Sequence, residues 1–182
     1  LNLKDHFSSR ITKIGAENLT ELSGYLLEKR YNPKPLDSEQ LRAKIDDVRM
    51  LLEKAVQTDK AMPEAYYNLG RFFIYNNKQD GAIENLTEAI KLFETAAPMN
   101  ARRTVRYVDA MRLLGEQLVD QKKYLDAQTL YADALSIYRD YTAFKPLPPN
   151  QDIGKLYADY GDIDYFISYN FDSALESYQN AV

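Results

Sequence analysis

AMPEAYYNLGRFFIYNNKQDGAIENLTEAIKLFE, residues 61–94, decides the fold. Two apolar patterns of helical period run through it, one on either side of Asn76-Asn77. The first reads Tyr66-x-x-Leu69-Gly70-x-x-Phe73 and the second Ala82-x-x-x-Leu86-x-x-Ala89. Gly70, Ala82 and Ala89 keep side-chain volume low where two helices cross, so the stretch reads as two short amphipathic helices folded back on each other. Pro63 fits a first helical turn, where its missing N–H is not needed. Asn76-Asn77 makes the turn, because Asn accepts left-handed backbone better than most residues. Asp80 then starts the second helix.

The same lattice recurs on both sides. Upstream, Leu19-x-x-Leu22-Ser23-x-x-Leu26 and Val48-x-x-x-Leu52-x-x-Ala55 repeat its two halves, with Ser in the small position. Asn32-Pro33-Lys34-Pro35 separates them, since Pro excludes helical geometry for the residue before it. Asp37 or Ser38 caps the helix that carries Leu41, Ile45, Val48, Leu52, Ala55 and Val56. Gly15 breaks or kinks the apolar pattern of residues 2–31. Downstream come Met111-x-x-Leu114-Gly115-x-x-Leu118 and Ala127-x-x-x-Tyr131-x-x-Ala134, then Tyr157-x-x-Tyr160-Gly161 and Ala174-x-x-x-Tyr178-x-x-Ala181.

The spacings refine this. Ala55 to Ala89 is 34 residues, but Gly70 to Gly115 is 45. The excess of about eleven residues is about three helical turns, so longer helices absorb it without rotating their faces out of phase. Long helices are therefore expected over 82–95 and 101–120, with residues 97–100 ending the first. Gly161 to Ala181 is 20 residues where the two central units have 19, which puts a one-residue slip near 164–169. Residues 144–150, rich in Pro, read as a connection between units.

This lattice resembles the tetratricopeptide repeat, with Tyr where that family usually has Trp. The resemblance covers nearly the whole chain and is strongest in the two central units. It implies an all-α fold, an α-solenoid of antiparallel helix pairs wound as a right-handed superhelix. One array of four units follows, over residues 1–60, 61–97, 98–143 and 149–182.

Composition excludes several functions. Lys and Arg number 23 against 27 Asp and Glu, a formal net charge of −4, and duplex nucleic acid needs a basic excess to neutralise its phosphates. There is no Cys and one histidine, His6, which removes thiolate metal sites, the common catalytic triads and His-rich metal motifs. No Gly-rich phosphate loop is present, and Asp162-x-Asp164 is too short for a calcium loop. The expectation is therefore no enzyme, no catalytic residue, no metal and no cofactor. No apolar run approaches a bilayer span. The composition is that of a soluble chain, cytoplasmic or bacterial periplasmic. A start at Leu1 and a stop at Val182 within a helical pattern read as a piece excised from a longer protein.

What remains is surface. The aromatic content is 15 Tyr, 7 Phe and no Trp. Most of these rings are expected between helices and some in a groove. The resemblance implies that the first helices of successive pairs line a concave face for a partner peptide or protein. It places Tyr67, Arg71, Ile74 and Tyr75 there from the central unit, Arg112, Glu116, Val119 and Asp120 from the next, and Ala158, Asp162, Tyr165 and Phe166 from the last. The family's dicarboxylate clamp is matched only at Asn68, with Thr20, Gly24, Asp109 and Leu113 departing from it. Arg102, Arg103 and Arg106 form, with Arg112, a basic cluster, read either as a solvated face paired with Asp109 and Glu116 or as an anion-seeking patch. The leading function is a non-catalytic interaction scaffold. The alternative is a structural spacer or self-assembling subunit, a homo-oligomer through the open end at 171–182.

Overall fold

A computed structural model describes residues 16–17, 20, 38–96, 100–144 and 151–182. The expectations for His6, Gly15, Gly24, the Pro33–Pro35 break, the Asp37 cap, residues 97–99 and the Pro-rich 145–150 lie outside the described residues. Seven helices and no strand occur among the described residues: α1 (Ser38–Thr58), α2 (Pro63–Tyr75), α3 (Gln79–Thr95), α4 (Ala101–Asp120), α5 (Tyr124–Phe144), α6 (Gln151–Phe166) and α7 (Phe171–Asn180). The long helices expected over 82–95 and 101–120 are present as α3 and α4. The fold divides into two compact units, Leu1–Leu92 and Phe93–Val182, with the division inside α3.

In the first unit, α1 packs against α2. Val48 and Leu52 of α1 share a core with Leu69 and Phe72 of α2, while Ala55 joins Ala16, Met62 and Ala65. Pro63 stands in the first turn of α2, and Met62 precedes it without a side-chain cap. Gly70 faces Leu86 of α3: a Cβ there would stand 2.7 Å from Leu86 Cγ. Ala82, Leu86 and Ala89 are fully buried, so the spacing read as a helix crossing is one.

The second unit repeats this contact. Tyr131 of α5 lies over Gly115 of α4, where a Cβ would overlap the ring, and Tyr178 of α7 lies over Gly161 of α6. Burial pushes the Tyr131 phenol up, with the charge of Asp159 adding to the effect. Asn100 caps α4, its Oδ1 accepting from the Arg103 N–H at 3.0 Å. That role answers one of the orphan N–H groups at the helix start. Within this unit α4 also packs against α6, and α5 against α6.

Among the described residues, three corresponding turns join the helices of a pair. In the first, Asn77 is left-handed (φ 53°), the Lys78 N–H reaches back to the Phe73 carbonyl at 2.9 Å, and the Asn77 N–H to that of Ile74 at 3.0 Å. This is a Schellman closure, which satisfies carbonyls that the helix leaves open. Lys122 (φ 61°) repeats it, with Lys123 bonded to Leu118. In the third, Tyr169 is left-handed (φ 54°), but the Asn170 N–H bonds six residues back, to Asp164. The extra residue of the last unit therefore sits in this turn, inside the 164–169 window that the spacing gave.

Asp164 holds the widened turn. Its side chain is buried (1% exposed) and accepts from Gln128 Nε2 of α5 at 2.6 Å and from Ser173 Oγ of α7. Asn170 Oδ1 caps α7 by accepting from the Ser173 N–H at 3.3 Å.

Candidate functional site

The residues expected to line a groove fall on both units. In the first, α2 brings three of them together. The Arg71 guanidinium lies 5.4 Å from the Tyr67 ring centre and 5.8 Å from that of Tyr75, and its Nη2 donates to Tyr75 Oη at 3.1 Å. Tyr67 is buried, whereas Arg71, Ile74 and Tyr75 are half-buried. Spacing of four residues along a helix produces this stack, because residues 67, 71 and 75 share one face. Asn68, the single match to the clamp, is turned inward: it is buried and its Nδ2 donates to the Thr20 carbonyl at 3.0 Å.

In the second unit, α4 and α6 flank a cavity of about 290 Å³. Glu116 and Asp120 of α4 and Asp159 and Asp162 of α6 supply its carboxylates, while Val119, Ile163, Phe166 and Ile167 supply apolar wall. Tyr124 and Tyr131 of α5 complete the lining. Glu116, Val119, Asp120, Asp162 and Phe166 were expected at this surface. Asp159, Ile163, Ile167 and the two tyrosines were not. Their signal was faint: Asp159 and Asp162 stand three apart on α6 and so share a face, but the sequence does not say which helix that face meets. Asp162 also accepts from Tyr178 Oη at 2.7 Å.

Arg112 departs from its expected place at the groove surface and from the solvated face read for its cluster. It is 5% exposed, and its donors are committed within the chain. Nε and Nη2 donate to Asp109 Oδ1 at 3.0 and 2.9 Å, and Nη1 donates to Glu116. Nη1 also lies 3.6 Å from Asp159 Oδ2. The reason is tertiary: α6 packs on α4 and covers this side of it, and a buried cation must be paired. Burial pushes the carboxyl groups of Glu116 and Asp159 above their ordinary values, against the pull of Arg112.

The other expected residues lie elsewhere. Tyr165 is exposed, with its ring edge-on to Phe166 (4.8 Å between centres) and to Phe171 of α7 (5.3 Å). Arg102, Arg103 and Arg106 occupy the first two turns of α4, and each already interacts within the chain. No group of three or more His, Asp or Glu among the described residues is arranged to hold a metal ion. No helix among them is long and apolar enough to cross a membrane.

No protein-family model matches the chain, and no curated protein matches it. Solved structures do. A crystal structure of MamA superposes with a TM-score of 0.60 at 22% identity, covering 91% of this chain and 75% of that one. A second MamA crystal structure gives 0.59 at 20% identity, covering 91% and 70%. YrrB, described as a TPR protein with an unusual peptide-binding site, matches over 78% of each chain at 14% identity, with a TM-score of 0.32. Identity this low leaves side chains free to differ, so the MamA likeness speaks to the path of the backbone alone. The chain has a tetratricopeptide-like fold, all-α and built of antiparallel helix pairs.

Proposed function

We propose that the chain is a non-catalytic interaction scaffold, holding a partner peptide or protein on the faces of its first-in-pair helices. The observation that carries the reading is the cavity between α4 and α6, about 290 Å³ and walled by apolar and charged side chains. Its volume lies at the small end of ligand pockets, which suits side chains of a docked segment. Arg71 and Tyr75, stacked with the buried Tyr67, offer a second contact surface of the kind that dominates interfaces, aromatic and arginine together.

Affinity capture from native lysate on the immobilised chain tests this. Capture by the unmodified chain is compared with that by Arg71→Ala/Tyr75→Ala and by Phe166→Ala, whose exposed or half-buried positions let the fold persist. The expected outcome is a retained protein that one or both variants lose while their helicity is unchanged. Retention identical on all three proteins would sink the assignment of these surfaces.

A second reading, self-assembly, has its own observation. Tyr165, Phe166, Tyr169, Phe171 and Leu175 are all exposed at the α6–α7 end, between 44% and 72%. Clustered apolar exposure of this kind marks association surfaces.

A further inference from the structure

We infer that the cavity between α4 and α6 receives a lysine or arginine side chain of a partner peptide, with a neighbouring apolar residue seated on Phe166 and Ile167. The inference rests on the scaffold reading above and specifies the partner's chemistry at that surface.

Charge is the main argument. Glu116, Asp120, Asp159 and Asp162 line the cavity. The cation that meets them from inside, Arg112, is already bonded to Asp109 and Glu116. Its Nη1 stands 3.6 Å from Asp159 Oδ2, near enough for attraction and too far for a hydrogen bond. That oxygen is buried on the Arg112 side, while the Asp159 side chain as a whole is 29% exposed and lines the cavity. An entering ammonium or guanidinium offsets the excess of negative charge that Arg112 leaves among the four carboxylates.

Size and wall chemistry narrow the cation. The carboxylates do not converge as metal ligands would. The cavity is too small for a folded element and large enough for a long side chain. Phe166 and Ile167 stand beside the carboxylates at 64% and 37% exposure. An apolar wall next to an acidic floor matches a Lys or Arg, whose methylene stem lies along apolar surface while its charge reaches past it. An acidic peptide would meet repulsion from every ionised carboxylate in the cavity.

Selection of a phage-displayed library of random peptides on the intact chain tests the inference. Enriched sequences are expected to share a Lys or Arg next to Leu, Ile or Phe. A synthetic peptide of that consensus should bind roughly ten- to hundred-fold more weakly when its basic residue becomes Ala, or when the protein carries Asp159→Asn. Phe166→Ala, at an exposed position, should weaken binding without affecting the fold, and it carries the test if Asp159→Asn melts early. Enriched peptides that lack a shared basic residue, or whose binding neither variant changes, overturn the basic-side-chain inference and leave the scaffold reading standing. Failure to enrich any peptide counts against both.

Discussion

Arg112 and Asp159 come from different helix pairs, and their meeting sets the electrostatics of the second unit. Asp109, Arg112, Glu116 and Asp120 approach from α4, Tyr124 and Tyr131 from α5, and Lys155, Asp159 and Asp162 from α6. Burial raises the Glu116 and Asp159 carboxyl groups; for Glu116 the charge of Asp159 adds to it, and for Asp159 that of Asp162. A carboxyl group raised in the folded state binds protons more readily there than in the unfolded chain. The stability it contributes is therefore complete below the ordinary values of 4.5 for Glu and 3.8 for Asp, and is lost as pH rises through the folded values. Asp159→Asn removes one such group. Its stability relative to the parent chain, read from urea midpoints, should improve as pH rises above about 4. A difference that stays flat with pH would show that Asp159 is not strained by its surroundings.

Helix pairs are the next scale, and their turns are where the units differ. Asn77 and Lys122 end α2 and α4 in the same Schellman geometry, whereas the turn after α6 holds one more residue and places Tyr169 in left-handed backbone. An L-residue other than Asn or Gly pays about 1 kcal/mol for that conformation. Tyr169 is 72% exposed, so little packing opposes its removal. Tyr169→Gly should accordingly raise stability by about 0.5–1 kcal/mol, allowing for the entropy that Gly loses on folding. A lowered denaturation midpoint would mean that the exposed ring makes contacts worth more than its backbone strain. The bonds from Asp164 to Gln128 and Ser173 explain how the longer turn keeps α7 aligned, since they replace a repeat-type apolar residue with a satisfied buried carboxylate.

At the scale of the whole molecule, helix pairs with one apolar face are stable because neighbours cover that face. Two compact units, Leu1–Leu92 and Phe93–Val182, satisfy this internally in different ways. The first uses aliphatic residues and Phe around Leu52 and Leu69, the second Tyr131 over Gly115. The α6–α7 end leaves Phe166, Phe171 and Leu175 uncovered. If those residues mediate self-assembly, static light scattering should show mass rising with concentration, and Phe171→Ser/Leu175→Ser should abolish the rise. A mass constant across concentrations assigns that apolar surface to something other than a second copy.

The sequence by itself determined the helix pairs, the glycine and alanine crossings, the lengths of α3 and α4 and the place of the slip. All of these are encoded within one pair, where helical period and a short turn bring residues less than one repeat apart into contact. The tertiary structure decided what lies between pairs. Arg112 looked like a surface cation because Asp109 and Glu116 stand three and four residues from it on α4, and only the packing of α6 on α4 buries it among carboxylates. Asp159, Tyr124 and Tyr131 join Glu116 and Asp162 at one cavity for the same reason. The angle and offset between successive pairs are set by side chains meeting across long sequence separations, and no local spacing records them.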